Sequence, residues 1–533
     1  MNTVQSSSKP FEPSVSRDQV AERVLRLFRT HGTDDASPVI RGDPVGRLLD
    51  EHWRRGREVA IPGSWDDARG FPGIGFPEHG ESLEAFLEYL ETDVVPYAVN
   101  TASPRFIGHM TSALPEYVSQ LARMVAALNQ NVVKVETSRV FTAMERQVLG
   151  SLHRTVFGAP ESYYEKVVQD PERTLGMLTS GGTLANLSAL WCARNVALGP
   201  AVERQGLSAA LHRCGYDRAV ILGSSLMHYS IDKAADILGI GTANVLRIPC
   251  RTCTRVDVDL LARTARECRA NGSLVLAVVG VAGATDSGSI DELNELADVA
   301  SELESWLHVD AAWAGPLLFS REHRTRLRGV ERAHSVTIDA HKQLYLPLGV
   351  GIVLLRDDLA AAAIEKNANY IVRRGSRDLG KRSAEGSRPA NALFVAAALR
   401  ILGHDGLEFL VDEGVRKTRW AADRVRARPE FRLVEEPQTN IMLYRCLPRR
   451  YRGAHASALG LEDERTVNEF NMALQCRQRD EGRTFVSRTM LTQFNGAADM
   501  VALRMVLANP LTSEADIDAV LDDQLRIATD MEA

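Results

Sequence analysis

The chain has 533 residues and carries 63 Lys and Arg against 69 Asp and Glu, a formal net charge of −6. This mild acidity argues against a dedicated nucleic-acid binder, which normally presents a basic face. No run of about 18 apolar residues is found, so no membrane span is predicted. Seven cysteines form no disulfide framework, and Cys250 and Cys253 lack the second pair that a zinc site needs. The N-terminus lacks the pattern of a secretory signal, and we expect a cytoplasmic protein without a metal.

The first part of the chain is predicted to be helical after a disordered start that ends near Ser16. Apolar residues recur at helical spacing just after Ser16 and again at 83–90, 115–128 and 138–157. The Gly- and Pro-rich residues 61–79 are interpreted as an irregular connection.

From residue 175 onwards, short β-rich runs alternate with longer helical patterns. Predicted strands lie at 219–222, 245–248, 274–279, 306–309, 336–338 and 350–354, with helical patterns between most of them. Several runs, such as 274–279, are continuously apolar, which is typical of a parallel sheet covered by helices on both faces. After a helix at 390–403, strands at 431–435, 440–444 and 501–507 interleave with helices. This indicates an α/β fold with a smaller α+β domain at the C-terminus.

A glycine pair opens the helical pattern that begins near residue 184. Gly181, Gly182 and Thr183 would let a ligand approach the backbone, where the free N–H groups of a helix start favour an anion. A tight loop is an equal alternative on this feature alone. Neither GxGxxG nor GxxxxGK[ST] fits the segment, so a nucleotide is not indicated.

Three further residues follow predicted strands in order along the chain. His228 comes after 219–222, Asp310 ends the strand at 306–309, and Lys342 comes after 336–338. α/β sheets place their ligands at such strand ends. A poorly solvated lysine has a depressed pKa, so its amine can attack a carbonyl. Each residue is as often structural as functional, but the ordered set is more specific.

An anion cradle, an acid at a strand end and a nucleophilic amine together describe a site for pyridoxal 5′-phosphate. The sequence resembles the group II pyridoxal-phosphate-dependent amino-acid decarboxylases. The resemblance runs from Pro104 to Leu511 and is strongest at 179–186, 308–315 and 339–342. It implies the aminotransferase-like fold of type I, with a mostly parallel sheet in the large domain.

The resemblance also implies a role for individual residues in binding the cofactor. Lys342 would bind it covalently, Asp310 would pair with its ring nitrogen, and His228 would stack on its ring and could also serve in proton transfer. Lys342, His228 and Asp310 are therefore the predicted catalytic residues. The predicted cofactor-binding residues are Gly182, Thr183, His228, Thr285, Asp310, Ala312, His341 and Lys342.

Four residues are predicted to contact the substrate. Arg388 resembles the family arginine that meets the substrate carboxylate, for which a bidentate guanidinium pair is suited. Ser112 falls where the family has a residue near phosphate and substrate. Asn129 and Gln130 offer hydrogen-bond donors for a side-chain carboxylate. The basic loop at 371–387 would attract an acidic substrate, although a solvated basic loop explains it equally well.

Two features depart from the pattern of the family. Many members read Asn-Pro-His-Lys before the cofactor lysine, whereas this chain reads Asp-Ala-His-Lys at 339–342. Members also carry a tyrosine on a mobile loop that protonates the product. The corresponding loop at 371–387 has no tyrosine, and Tyr370, just before it, is interpreted as a packing residue. Either His228 or another group would then deliver the proton, or the intermediate would meet another fate.

Local stretches at 103–110, 129–131, 367–371 and 373–380 are most similar to the bacterial aspartate 1-decarboxylase branch. We therefore expect L-aspartate to be converted to β-alanine and CO2. The alternatives are decarboxylation of glutamate, cysteine sulfinate or a phosphonate analogue, or another fate as an aminotransferase, lyase or aldehyde synthase. A non-catalytic relative is a further alternative, which the presence of Lys342, Asp310 and His228 together argues against.

The resemblance implies an N-terminal segment at 1–95 that wraps a partner subunit, a large cofactor domain at 96–400 and a small domain at 401–533. It also implies a homodimer with the active site at the subunit interface. The expected ligand is a small acidic amino-acid substrate. Binding to a nucleic acid or to a membrane is not expected.

Overall fold

The computed structural model describes residues 16–28, 44–54, 56, 58–60, 62, 79–250, 254–368, 375–452, 460–492 and 499–533. The predicted disordered start, most of the predicted irregular connection, Cys253, Tyr370 and the beginning of the basic loop lie outside these ranges. Within the described ranges, no helix is long and apolar enough to cross a membrane.

Helices and strands follow the predicted alternation closely. The α-helices are α1 Arg17–Arg26, α2 Pro44–Arg54, α3 Leu83–Tyr89, α4 Tyr117–Leu128, α5 Val140–Phe157, α6 Glu161–Val167, α7 Gly182–Leu198, α8 Ala201–Gln205, α9 Leu207–Arg213, α10 Ser230–Ile237, α11 Val258–Ala270, α12 Leu293–Glu302, α13 Ala392–Ala397, α14 Gly403–Arg426, α15 Leu461–Glu481 and α16 Glu514–Glu532. The strands are β1 Gly176–Thr179, β2 Arg218–Ser224, β3 Val245–Ile248, β4 Ser273–Val281, β5 Trp306–Asp310, β6 Ser335–Asp339, β7 Gly351–Leu355, β8 Phe431–Leu433, β9 Ile441–Cys446, β10 Ser487–Leu491 and β11 Met500–Val506.

The large sheet has seven strands in the order β1-β7-β6-β5-β4-β2-β3. The pairs from β3 through β6 are parallel, which confirms the predicted mostly parallel sheet. β7 runs antiparallel to both β6 and β1, so β1 points the same way as the parallel strands. The carboxyl ends of β1, β2, β4, β5 and β6 consequently meet at one edge, where α/β sheets bind ligands.

Both faces of this sheet are covered by helices, which explains the unbroken apolar run in β4. Val278 packs in the core that includes α5, α11 and α12. Its neighbours Ala277 and Val279 pack in the core on the opposite face with α7 and α10. Because successive strand residues face opposite sides, both sets must be apolar.

The C-terminal part forms a four-stranded antiparallel sheet in the order β10-β11-β9-β8. α14, α15 and α16 share an apolar core with one face of this sheet, which includes Leu503 and Met505 of β11. The intervening Arg504 therefore points from the opposite face. On that face, Val506 packs with Trp313 of the large domain. The predicted domain boundaries stay a prediction.

A segment before α4 joins the small sheet. The backbone N–H of Ile107 donates to Phe485 O at 3.0 Å, and Ile107 packs in the small-domain core. A Cβ atom on Gly108 would lie 2.3 Å from the backbone nitrogen of Ser487, so only glycine fits here. This close approach brings the chain after Gly108 to the junction of the two sheets.

Candidate cofactor and substrate site

A cavity of about 480 Å³ opens at the carboxyl edge of the large sheet. Turns after five strands supply its walls, because those strand ends meet at this edge. All eight residues predicted to bind the cofactor line it: Gly182, Thr183, His228, Thr285, Asp310, Ala312, His341 and Lys342. The sequence thus predicted which side chains the fold brings together, while their roles stay predictions.

Lys342 enters this cavity from the turn after β6. Its Nζ lies 2.9 Å from Oδ2 of Asp339, the last residue of the strand. Oδ1 of Asp339 and Nδ1 of His341 are buried without a hydrogen-bond partner among the described residues. Buried polar atoms without partners are rare, so these two atoms indicate that a polar group completes the site.

The start of α7 forms another wall of the cavity, directly against Asp339. β1 ends at Thr179, and the helix begins at Gly182, so its first amide groups face the cavity without acceptors inside the helix. A Cβ on Gly182 would lie 2.7 Å from Oδ2 of Asp339, and one on Gly351 would lie 2.4 Å from the carbonyl carbon of Gly181. Glycine is therefore required for this close packing, and the turn fits a phosphate group.

Asp310 presents a buried carboxylate at the end of β5. Its Oδ1 accepts a hydrogen bond from Ala312 N at 3.1 Å, and its Oδ2 accepts one from Asn186 Nδ2 at 2.8 Å. Hydrogen bonds to both oxygens fix the orientation of this carboxylate. The arrangement fits an acid that pairs with a protonated ring nitrogen.

His228 lies on the turn that connects β2 and α10. Its Nδ1 accepts the backbone N–H of Ser230 at 3.3 Å, so the proton of the neutral ring is on Nε2. Burial lowers the pKa of His228, with the charge of Asp310 acting in the opposite direction. The ring is therefore mostly neutral at pH 7 and is suited to contact a flat cofactor.

These donors fit pyridoxal phosphate, and the comparison with known proteins agrees. Residues 71–446 match the family described as "Pyridoxal-dependent decarboxylase conserved domain". The chain belongs to this family. It is a pyridoxal-phosphate-dependent amino-acid decarboxylase, as the sequence predicted.

Curated relatives match most of the length of the chain. The chain is 38% identical to the aspartate 1-decarboxylase of Aliivibrio fischeri over 524 residues, which cover 97% of this chain and 96% of that protein. It is 32% identical to the L-2,4-diaminobutyrate decarboxylase of Rhizobium meliloti, with 78% and 79% covered. The crystal structure of mouse CSAD in apo form superposes with a TM-score of 0.79 at 26% identity, covering 92% of this chain and 99% of that one.

A second cavity of about 660 Å³ shares Lys342 and His341 with the first. The predicted Ser112 lines this second cavity, as does His109. Nδ1 of His109 accepts the backbone N–H of Thr111 at 3.2 Å. Burial lowers the pKa of His109, and the charges of Arg504 and Lys342 lower it further. His109 therefore lies close to both cations.

Arg504 is a functional candidate that the sequence analysis missed. Its Nη1 donates to Gly108 O at 3.2 Å and to Ser487 Oγ at 3.1 Å. Its Nε and Nη2 are buried without a hydrogen-bond partner among the described residues. Burial lowers the pKa of Arg504 to about 10, so it remains charged at pH 7. The sequence did carry one signal for this residue: Arg504 is a charged residue in the middle of the otherwise apolar run at 501–507.

The other predicted substrate residues lie elsewhere. Arg388 lines a separate cavity, and its guanidinium donates twice to the buried Glu145. Both donors that would grip a substrate carboxylate are therefore occupied. Asn129 caps the C-terminal end of α4 with φ of 43°, and Gln130 Nε2 donates to Leu128 O at 2.9 Å. Neither is among the described residues that line the two cavities at Lys342.

Proposed function

We propose that the enzyme decarboxylates a small acidic L-amino acid, and that L-aspartate is converted to β-alanine and CO2. The observation that carries this proposal is Arg504, a buried cation beside His109, which lines the second cavity. Two of its guanidinium nitrogens have no hydrogen-bond partner in the described part of the chain, although Arg504 itself is not among the residues that line either cavity. A carboxylate that accepts both hydrogen bonds would satisfy them. The identity with an aspartate 1-decarboxylase over almost the whole chain supports the same substrate.

Arg504 is best suited to the side-chain carboxylate of the substrate. The α-carboxylate loses its charge as CO2 departs, so a strong ion pair there would stabilise the ground state more than the transition state. A pair with the side-chain carboxylate persists through the reaction and orients the substrate. In L-2,4-diaminobutyrate, the substrate of one relative, the side chain carries an ammonium group that Arg504 would repel.

For the cofactor, we infer that Lys342 binds its aldehyde, Asp310 faces its ring nitrogen and the first turn of α7 faces its phosphate. Thr285, Ala312 and His341 complete the walls. When bound, pyridoxal phosphate supplies the electron sink for the negative charge that remains when CO2 departs. Asp339 holds the Lys342 amine within the cavity.

For His228, we propose contact with the cofactor ring as its main role. A neutral imidazole N–H is a weak acid, and burial keeps His228 neutral at pH 7. We therefore assign the proton delivered to the product carbon to a group other than His228.

The enzyme is proposed to act as a cytoplasmic homodimer. α4 runs beside the second cavity, and Val118 is its one buried residue. Met124 and Leu128 are each 48% exposed, and Leu348, which lines the cavity, is 70% exposed. An apolar surface next to an active site is typical of a subunit interface. A second copy that covers α4 would also close the cavity at Lys342.

Product analysis tests the proposed reaction. The protein loaded with pyridoxal phosphate is incubated with L-aspartate, L-glutamate, L-cysteine sulfinate and L-2,4-diaminobutyrate. Amine and CO2 in equal amounts, formed fastest from L-aspartate, are expected. Faster reaction of another acid would replace the substrate and keep the reaction. A keto acid or an aldehyde as the main product would refute the proposed decarboxylation outcome.

A further inference from the structure

A line of hydrogen bonds, buried from Ser335 onwards, runs from the start of β5 to the carboxylate of Asp310. Trp306 Nε1 donates to Ser335 Oγ at 2.7 Å, and Ser335 Oγ lies 2.8 Å from His308 Nδ1. His308 Nε2 lies 3.0 Å from Asn186 Oδ1, and Asn186 Nδ2 donates to Asp310 Oδ2 at 2.8 Å. We call these five residues the relay.

The carboxylate fixes the direction of every bond in the relay. A carboxylate only accepts, so the amide nitrogen of Asn186 must face Asp310 and its oxygen must face His308. His308 therefore carries its proton on Nε2, and its Nδ1 accepts the hydroxyl proton of Ser335. The Ser335 oxygen in turn accepts from Trp306. All four hydrogen bonds thus point towards Asp310.

Burial makes this orientation strict. His308 and Ser335 are fully buried, and Asn186 is 1% exposed, so no solvent replaces a lost bond. Burial lowers the pKa of His308 to about 4, which keeps the ring neutral with one donor and one acceptor. A reversed Asn186 amide would face two oxygens towards each other at Asp310, which is unfavourable.

We propose that His308 is a positioning residue, which fixes the amide of Asn186 so that the Asp310 carboxylate stays oriented towards the ring nitrogen of the cofactor. The inference rests on the proposed role of Asp310. His308 itself lies behind Asp310 and does not line the cavity in the described part of the chain. Its effect is therefore expected in cofactor binding and in the spectrum of the bound cofactor, with the KM for the substrate little changed.

The test compares His308→Phe with His308→Gln and with a matched control, His153→Phe. His153 is also buried, with a pKa lowered to about 4 by burial, but it bonds to Tyr164 and Leu355 away from the cavity. Loss of the partner that supports a metal ligand costs about tenfold or more in metal affinity, and by analogy His308→Phe should raise the Kd of pyridoxal phosphate about tenfold. His308→Gln, which can donate and accept, should recover most of the affinity.

A cofactor analogue with carbon in place of the ring nitrogen distinguishes a loss of Asp310 orientation from a general disruption of the fold. The unchanged enzyme and His308→Phe should bind this analogue equally, because it has no ring nitrogen for Asp310 to pair with. A Kd for His308→Phe that matches His153→Phe, or an affinity loss that persists with the analogue, would overturn the proposal. If His308→Phe does not fold, Ser335→Ala breaks the same relay and should give the same pattern.

The variant Asp310→Asn distinguishes this inference from the function on which it rests. If Asp310→Asn weakens pyridoxal phosphate binding but not binding of the analogue, the role of Asp310 holds, and the His308 result judges the relay alone. If Asp310→Asn changes the Kd of neither pyridoxal phosphate nor the analogue, the proposed role of Asp310 is wrong, and the relay proposal is wrong with it.

Discussion

Substitution of Arg504 by glutamine tests how the substrate is held. The change removes the charge and the two guanidinium nitrogens that lack partners among the described residues. A hydrogen bond to a charged group contributes about 1.5–3 kcal/mol, so two of them amount to about 3–6 kcal/mol. At about 1.4 kcal/mol per factor of ten, Arg504→Gln should lower kcat/KM for L-aspartate by about 10²–10⁴.

Arg445 provides the matched control. It is a fully buried arginine on the neighbouring strand β9, and its guanidinium donates to Glu464 at 2.7 Å and to Asn468 at 2.9 Å. Arg445→Gln should therefore lower the Tm while leaving kcat/KM within a few-fold of the unchanged enzyme. Both variants should bind pyridoxal phosphate, which absorbance measurements check before any kinetic comparison.

A comparison of L-aspartate with L-asparagine shows whether Arg504 contacts the side-chain carboxylate. CO2 release is measured with both amino acids, because L-asparagine has nearly the same shape without the side-chain charge. The ratio of kcat/KM for L-aspartate to that for L-asparagine should be much smaller in Arg504→Gln than in the unchanged enzyme. Equal losses on both substrates would instead place Arg504 on the α-carboxylate. Activity in Arg504→Gln equal to that of Arg445→Gln would refute the assignment altogether.

Four further predictions concern the cofactor, the interface and the response to pH. Lys342→Ala should show no turnover, and borohydride reduction should fix the cofactor on the unchanged chain but not on Lys342→Ala, as mass spectrometry would show; normal turnover in the variant would remove Lys342 from the site. Gly182→Ala should raise the Kd of pyridoxal phosphate at least tenfold, because its Cβ meets a carboxylate oxygen at 2.7 Å; an unchanged Kd would argue against a phosphate at this turn. Met124→Asp on α4 should convert a dimer to a monomer in light scattering, and a wild-type monomer would refute the proposed interface. Burial lowers the pKa of His153 and His308 to about 4, below the unfolded value of 6.5. The unfolded chain therefore binds protons that the folded chain does not, so the free energy of unfolding should fall as the pH drops from 6.5 towards 4. Urea titrations at pH 7 and 5 measure this fall, which should be smaller in His153→Phe.

The local sequence determined the framework of the cofactor site. Unbroken apolar runs such as 274–279 identified strands buried on both faces, and the residues that follow them were predicted to meet. Parallel strands bring their carboxyl ends to one edge whatever the loops contain, so Gly182, His228, Asp310 and Lys342 could be placed together from their order alone. The structure confirms that they line one cavity.

The tertiary structure alone decided which charges are available. Arg388 and Arg504 look equally free in the sequence, yet Arg388 is paired with Glu145, 243 residues away, whereas two nitrogens of Arg504 find no partner among the residues that the structure describes. The partner of a buried charge depends on which elements pack together, and no local pattern records that. The hydrogen bond between His308 and Asn186 likewise spans 122 residues. Periodicity and turn residues act between neighbours in the chain, whereas the satisfaction of a buried polar group is settled only when distant segments meet.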